Sequence, residues 1–197
     1  MDAYDAWVRG RVSASRYRHT LGVVKAARRL AEIHRCDVEK ASAAAFCHDA
    51  AKGMPKDALL SKAEEGRWPL DWVDRMRPDL LHGPVAAILC YEELGIRDED
   101  ILNAIRYHTT GRPDMSLLEQ IVYLADLIEE GRDFPELPRL RKLAEQDLTE
   151  TLTEAFDLIL RFILESGDLI HPTTIHARNW YRTKINANKE EESMIGQ

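Results

Sequence analysis

The sequence predicts an all-α fold. Three observations carry that expectation. Apolar residues recur every three to four positions through most of the chain, Gly, Pro and capping residues fall between those stretches, and no segment alternates with the period of a half-buried strand. With 197 residues, 45% hydrophobic and 31% charged, the chain is long enough for one packed core and short for two domains. The expected organisation is a single domain over residues 1–185 and a polar, frayed tail over 186–197.

From Tyr17 to Ile33, Leu21, Val24, Ala27, Leu30 and Ala31 trace one helical face, with His19 near its start. The next helix, roughly Val38 to Ala51, is rich in small residues that let neighbours approach closely, and its end presents His48-Asp49. Lys52, Gly53 and Pro55 interrupt the chain before a helix from about Asp57 to Glu65. A turn-prone stretch then leads to Leu81-His82-Gly83-Pro84, after which Val85, Ile88, Leu89 and Leu94 give a helical face. Asp98 is placed to cap a helix carrying Ile101, Leu102 and Ile105. That helix ends at Tyr107-His108, where Thr109-Thr110-Gly111-Arg112-Pro113 breaks it. Ser116 is placed to cap a helix containing Ile121, Val122, Leu124, Ala125, Leu127 and Ile128. Asp126 is embedded in that apolar run, and a carboxylate there needs a partner. Leu148, Leu152, Ala155, Ile159, Phe162 and Ile163 predict one long core helix from about Leu140 to Ser166, with Gly167 at its exit. A break at His171-Pro172-Thr173-Thr174 precedes a last helix from Ile175 to Ile185.

A net charge of -7 argues against a nucleic-acid binder, because affinity for a phosphate backbone comes from many clustered Lys and Arg. A small phosphorylated ligand needs only a few cations in one pocket and stays open. Cys36, Cys47 and Cys90 are widely spaced without a CxxC pair, so neither a disulfide framework nor a thiolate zinc site is expected. Cys47 reads as a small buried residue on its Ala-rich helix, and Trp68, Trp72 and Trp180 read more readily as packing residues than as base-stackers. An acidic N-terminus and the lack of any long apolar run predict a cytoplasmic protein without a membrane partner.

A lone His-Asp dipeptide carries little information, but its company carries more. His19, His48-Asp49, His82, His108 and Asp126 lie at the ends or on the faces of five separate segments. A divalent cation would gather such groups and remove the desolvation penalty of an unpaired carboxylate. Imidazole and carboxylate donors suit Fe, Mn or Zn alike.

The order of these residues resembles the HD phosphohydrolase superfamily. The likeness narrows at Arg18-His19-Thr20-Leu21-Gly22-Val23, His48-Asp49-Ala50-Ala51-Lys52, Leu81-His82-Gly83-Pro84, Tyr107-His108-Thr109-Thr110-Gly111 and Tyr123-Leu124-Ala125-Asp126. Together these resemble the YqeK-type symmetrical diadenosine tetraphosphate hydrolases, from about residue 16 to residue 181. The resemblance implies a compact helical domain with iron held by His19, His48, Asp49 and Asp126. It implies that His82, His108 and Lys52 serve catalysis, and that Gly22, Lys52, His82, His108, Thr109, Asp126, Arg132, His171 and Thr173 meet the nucleotide. The implied reaction is attack of a metal-activated water on diadenosine tetraphosphate to give two ADP. Two alternatives stand beside it: another HD nucleotide phosphohydrolase, and a non-catalytic nucleotide-sensing helical module. A homodimer is left open, since no heptad seam marks an interface.

Overall fold

The structure is a computed structural model that describes the backbone of residues 2–195 and the side chains of residues 4–187. An opening amphipathic helix, α1 (Asp2–Arg9), lies ahead of the first helix expected. α2 (Ala14–His34) starts where the Ser13 hydroxyl accepts from Arg16 N, and stops where Arg35 enters the left-handed region at φ 57°. α3 (Val38–Cys47) is capped by Asp37, whose carboxylate accepts from the amides of Glu39 and Lys40. Residues 41 to 47 of α3 are all buried, mostly as Ala, so its neighbours close around it. α3 ends four residues sooner than expected. Residues 50, 52 and 54 donate their amides to the carbonyls of Cys47, Asp49 and Ala51, three residues back, and these tight turns set His48 and Asp49 at the middle of the molecule.

α4 (Lys56–Glu65) and α5 (Trp72–Met76) lead to a single 3-10 turn, Pro78–Leu81, then to α6 (His82–Glu93) and α7 (Glu99–Tyr107). α8 (Leu117–Ile128) begins at a capping box in which Ser116 and Glu119 satisfy each other's amides, and Asp98 caps α7 as its position implied. The long helix expected from Leu140 to Ser166 is two helices, α9 (Leu137–Ala144) and α10 (Leu148–Ser166). Asp147 breaks the run because its carboxylate caps Glu150 N. On the other side of the break, the terminal carbonyl of Ala144 pairs with His34 Nε2 at 2.7 Å. α10 leaves through Gly167 at φ 68°.

α11 (Pro172–Ile195) opens on the proline expected to precede it, since Pro at a first helical position gives up an amide that has no helical partner. It carries helix into the segment set apart as a tail. Residues 196 and 197 of that tail, and its side chains from 188 on, lie outside the described residues.

α2 packs along α3 and α8, while α7 lies against α3, α6 and α8; α10 joins α8, α9 and α11 on the other side. No strand occurs among the described residues, in keeping with the all-α expectation. Nor is any helix among them long and apolar enough to cross a membrane.

Candidate active site

Four donors from three helices converge where α2, α3 and α8 meet. His19 projects from the second turn of α2, His48 and Asp49 follow the last turn of α3, and Asp126 lies near the end of α8. His19 Nε2 is 2.9 Å from Asp126 Oδ1 and 3.8 Å from Asp49 Oδ2; His48 Nε2 is 3.4 Å from Asp49 Oδ2 and 3.9 Å from Asp126 Oδ1. Donors held at about 2.1 Å from one first-row ion are roughly 3–4 Å apart, which these separations match. Both Nε2 atoms are buried, yet neither makes a hydrogen bond. They point toward a shared position rather than at each other. The residues therefore fit a divalent metal.

The ring orientations have a local cause. His48 Nδ1 donates to Ala45 O at 2.7 Å, His82 Nδ1 to Asp79 O at 2.6 Å, and His108 Nδ1 to Ile105 O at 2.8 Å. In each case the acceptor is the carbonyl three residues earlier, available because all three rings sit at helix ends. The three Nε2 atoms are thereby turned inward. His82 Nε2 and His108 Nε2 are 3.0 Å apart, and the Thr109 hydroxyl lies 3.1 and 3.0 Å from them. Asp49 Oδ1 is 3.2 Å from His82 Nε2, so the Asp49 carboxylate also touches the second pair of rings.

Electrostatics follow from this crowding. Burial alone would raise the Asp49 carboxyl, but the His48 charge first, and then the close His108 and His82 rings, hold it well below the usual carboxylate range. Burial likewise opposes ionisation of Asp126, and His19, His48, His108 and Arg132 more than offset it. Burial also disfavours charge on His48, yet Asp49 and Asp126 lift that ring to about 9. His82 goes the other way: burial pushes it down to about 4, and Asp49 opposes this only in part.

A cleft of about 550 Å³ opens beside the donors. Lys52, His82, His108, Thr109, Asp126, Arg132 and His171 line it, as do Arg16, Phe134, Phe162 and Thr174, which the sequence reading did not include. Lys52 Nζ sits 3.4 Å from His82 Nδ1, and Arg132 Nη2 donates to Asp126 Oδ1 at 3.0 Å. Arg16 Nη1 donates to Asp49 Oδ2 at 2.9 Å, so Asp49 and Asp126 each have their own guanidinium. His171 is partly engaged already: its Nδ1 accepts from Thr173 N at 3.2 Å, and its Nε2 is 3.5 Å from Asp74 Oδ1. Thr174 rather than Thr173 reaches the cleft wall, because the first turn of α11 points the buried Thr174 inward. Gly22 lies outside the cleft lining, against Glu129, where a Cβ would stand 2.4 Å from Glu129 Oε2.

Cys47 is buried on α3, as its small size suggested. Trp68 packs 5.7 Å from the Tyr107 ring, Trp72 is exposed and Trp180 lies under Lys184; Tyr123, Phe134 and Phe162, and no tryptophan, stand on the cleft wall. A larger groove of about 890 Å³ between α9, α10 and α11 has no histidine in its lining, and its Arg139 and Arg178 are paired with Glu154 and Asp157. The cleft beside the donors is the one with chemistry.

Arg16 and Glu129 were both legible from helical spacing. Arg16 is three residues before His19, and Glu129 three after Asp126, so each falls beside one of the converging donors.

Residues 16–131 match the HD domain model. The symmetrical bis(5'-nucleosyl)-tetraphosphatase of Bacillus subtilis (strain 168) is 42% identical over 175 residues, covering 89% of this chain and 94% of that one. The enzyme of the same description from Staphylococcus aureus (strain NCTC 8325 / PS 47) is 33% identical over 168 residues, 84% of this chain and 86% of its own. Among solved structures, a predicted HD superfamily hydrolase involved in NAD metabolism from Clostridium acetobutylicum superposes with a TM-score of 0.90 at 42% identity, covering 93% of this chain and 97% of that one. With the family's pattern running through more than half its length, and a relative of 42% identity matched over most of both chains, the chain belongs to the HD domain family.

Proposed function

We infer that this protein is a symmetrical bis(5'-nucleosyl)-tetraphosphatase, which hydrolyses diadenosine tetraphosphate to two ADP. The observation that carries this reading is that the metal-fitting donors and the cation-lined cleft occur in a chain matching nearly the whole length of relatives that bear that activity. A divalent metal held by His19, His48, Asp49 and Asp126 supplies, when bound, Lewis acidity toward a phosphate oxygen and a water acidic enough to attack. Iron is the metal we assign, and manganese or zinc suits the same two imidazoles and two carboxylates.

The chain's own residues do the rest. Symmetrical cleavage adds water across the bond between an inner phosphorus and the oxygen that bridges the two inner phosphates, so each product keeps two phosphates. Lys52, Arg16 and Arg132 bring cationic side chains to the cleft and offset the polyphosphate charge. Both His82 and His108 spend their Nδ1–H on carbonyls, so the 3.0 Å contact between their Nε2 atoms is a hydrogen bond only when the pair holds one further proton. That proton is the one the pair delivers to the leaving phosphate oxygen. Thr109 donates its hydroxyl to one ring at a time and keeps the two in register. His171 and Thr174, at the start of α11, border the nucleoside end, where Phe134 and Phe162 offer an apolar wall. We assign the protein to the cytoplasm, where its three free thiols stay reduced.

Incubating metal-loaded protein with diadenosine tetraphosphate and resolving the nucleotides tests this reading. ADP as the only product is expected. ATP with AMP would reject symmetry, and tight nucleotide binding without turnover would turn the assignment to a sensing module.

A further inference from the structure

Glu129 is a buried carboxylate that the reaction above leaves without a role. Only 4% exposed, it follows directly on the last turn of α8. His19 Nδ1 donates to its Oε1 at 3.1 Å, and Gly131 N donates to its Oε2 at 2.6 Å. Two glycines make room for it. A Cβ on Gly22 would stand 2.4 Å from Oε2, and one on Gly131 would stand 2.9 Å from Oε1 and 3.0 Å from Oε2. Gly22 is one helical turn beyond His19 on the same face of α2, so the absent side chain is missing just where the carboxylate must pass to reach the ring.

The need for an outside acceptor is specific to His19. The other three rings are fixed by main-chain carbonyls at helix ends, whereas His19 lies inside α2. There the carbonyls are engaged by helical amides, and Arg16 O takes the Thr20 hydroxyl as well. Without Glu129, no main-chain acceptor would take the Nδ1–H of that ring or hold its orientation from the side away from Asp126.

We propose that Glu129 is a positioning residue that fixes His19 as its Nδ1–H tautomer and aims Nε2 at the metal, and that glycine at position 22 serves to admit this carboxylate. The proposal rests on the metal reading above and gives Gly22 a use other than the nucleotide contact the resemblance implies. Glu129 touches neither substrate nor the reacting atoms; it acts through His19.

The test is Mn²⁺ binding by the full chain, followed as loss of the free-ion electron paramagnetic resonance signal. Glu129→Ala should raise the Kd by about 10–100-fold, the usual effect of losing the partner of a ligating imidazole. Glu129→Gln keeps an acceptor for Nδ1–H and should fall between that variant and wild type. Gly22→Ala should weaken binding too, because its methyl group displaces the carboxylate, while alanine's better helix propensity keeps α2 folded. In the Gly22→Ala/Glu129→Ala double variant the methyl has nothing to displace, so its Kd should equal that of Glu129→Ala alone. Side chains that merely fill space would give additive effects instead. A Glu129→Ala chain that binds Mn²⁺ within about twofold of wild type would overturn the proposal, as would a double variant weakened by the product of the two single effects. A wild-type chain that takes up no Mn²⁺ would overturn the metal reading and this proposal with it.

Discussion

Metal uptake by this site must expel a proton, and the structure says from where. In the metal-free chain Asp49 and Asp126 hold the His48 ring protonated up to about pH 9, yet a nitrogen that ligates a metal must be bare. At pH 7 the displacement of that proton costs roughly 3 kcal/mol, two pH units at about 1.4 kcal/mol each, so the ion binds about 100-fold more weakly than it would to the deprotonated ring. The apparent association constant for Mn²⁺ should therefore rise close to tenfold per pH unit from about 7 to about 8.5 and flatten near 9. Calorimetric titration in two buffers of different ionisation enthalpy should count about one proton released per ion at pH 7.5. The fold itself responds with the opposite sign. A ring raised from 6.5 to about 9 stabilises the metal-free chain fully below pH 6.5 and loses that contribution as pH climbs through 9. The metal-free Tm should thus fall over that window, and the metal-loaded Tm should not follow it. An association constant that stays level between pH 7 and 8.5, with no proton released in either buffer, would refute the reasoning.

Three substitutions probe other parts of the site. Asp49→Ala removes a donor and the partner of Arg16, so metal content and hydrolysis should be lost together; near-normal turnover would make the proposed centre untenable. Thr109→Val should lower kcat about tenfold, the worth of one buried hydrogen bond, while leaving metal content unchanged, and a variant that instead loses its metal would show that the hydroxyl holds up the centre rather than the proton relay. Gly111→Ala forces a side chain onto a backbone at φ 62° and sets its Cβ 2.5 Å from Cζ of the buried Phe156. Denaturant melts should record a loss of about 2–4 kcal/mol, and a loss under about 0.5 kcal/mol would mean that the Phe156 ring yields easily.

Much of this was legible in one dimension, because the signals are local. Ser116 and Asp98 cap the helices they were placed to cap, and Asp126 stood out as a carboxylate in an apolar run that turned out to face two imidazoles. The break between α9 and α10 was not legible. Apolar spacing continues across it, and what decides the matter is a single cap at Asp147 plus a hydrogen bond from distant His34. The start of α11 was misjudged because proline stops a helix from within but suits its first turn. Arg16 went unnoticed beside a conspicuous histidine although the helical period puts the two together. Gly22 shows the limit most clearly: its lack of a side chain could be read as room for a ligand, and only the folded chain shows a carboxylate occupying that room.

The main-chain moorings of His48, His82 and His108 bear on how this protein tolerates inherited change. A carbonyl survives every substitution at positions 45, 79 and 105, so no point mutation there deletes the acceptor itself. His19 has no such insurance, since its acceptor belongs to a side chain. Drift in the neighbourhood should therefore be forgiven around three of the four rings and punished at the fourth, which makes residue 129 the place where a single altered base would do the most harm without touching a ligand.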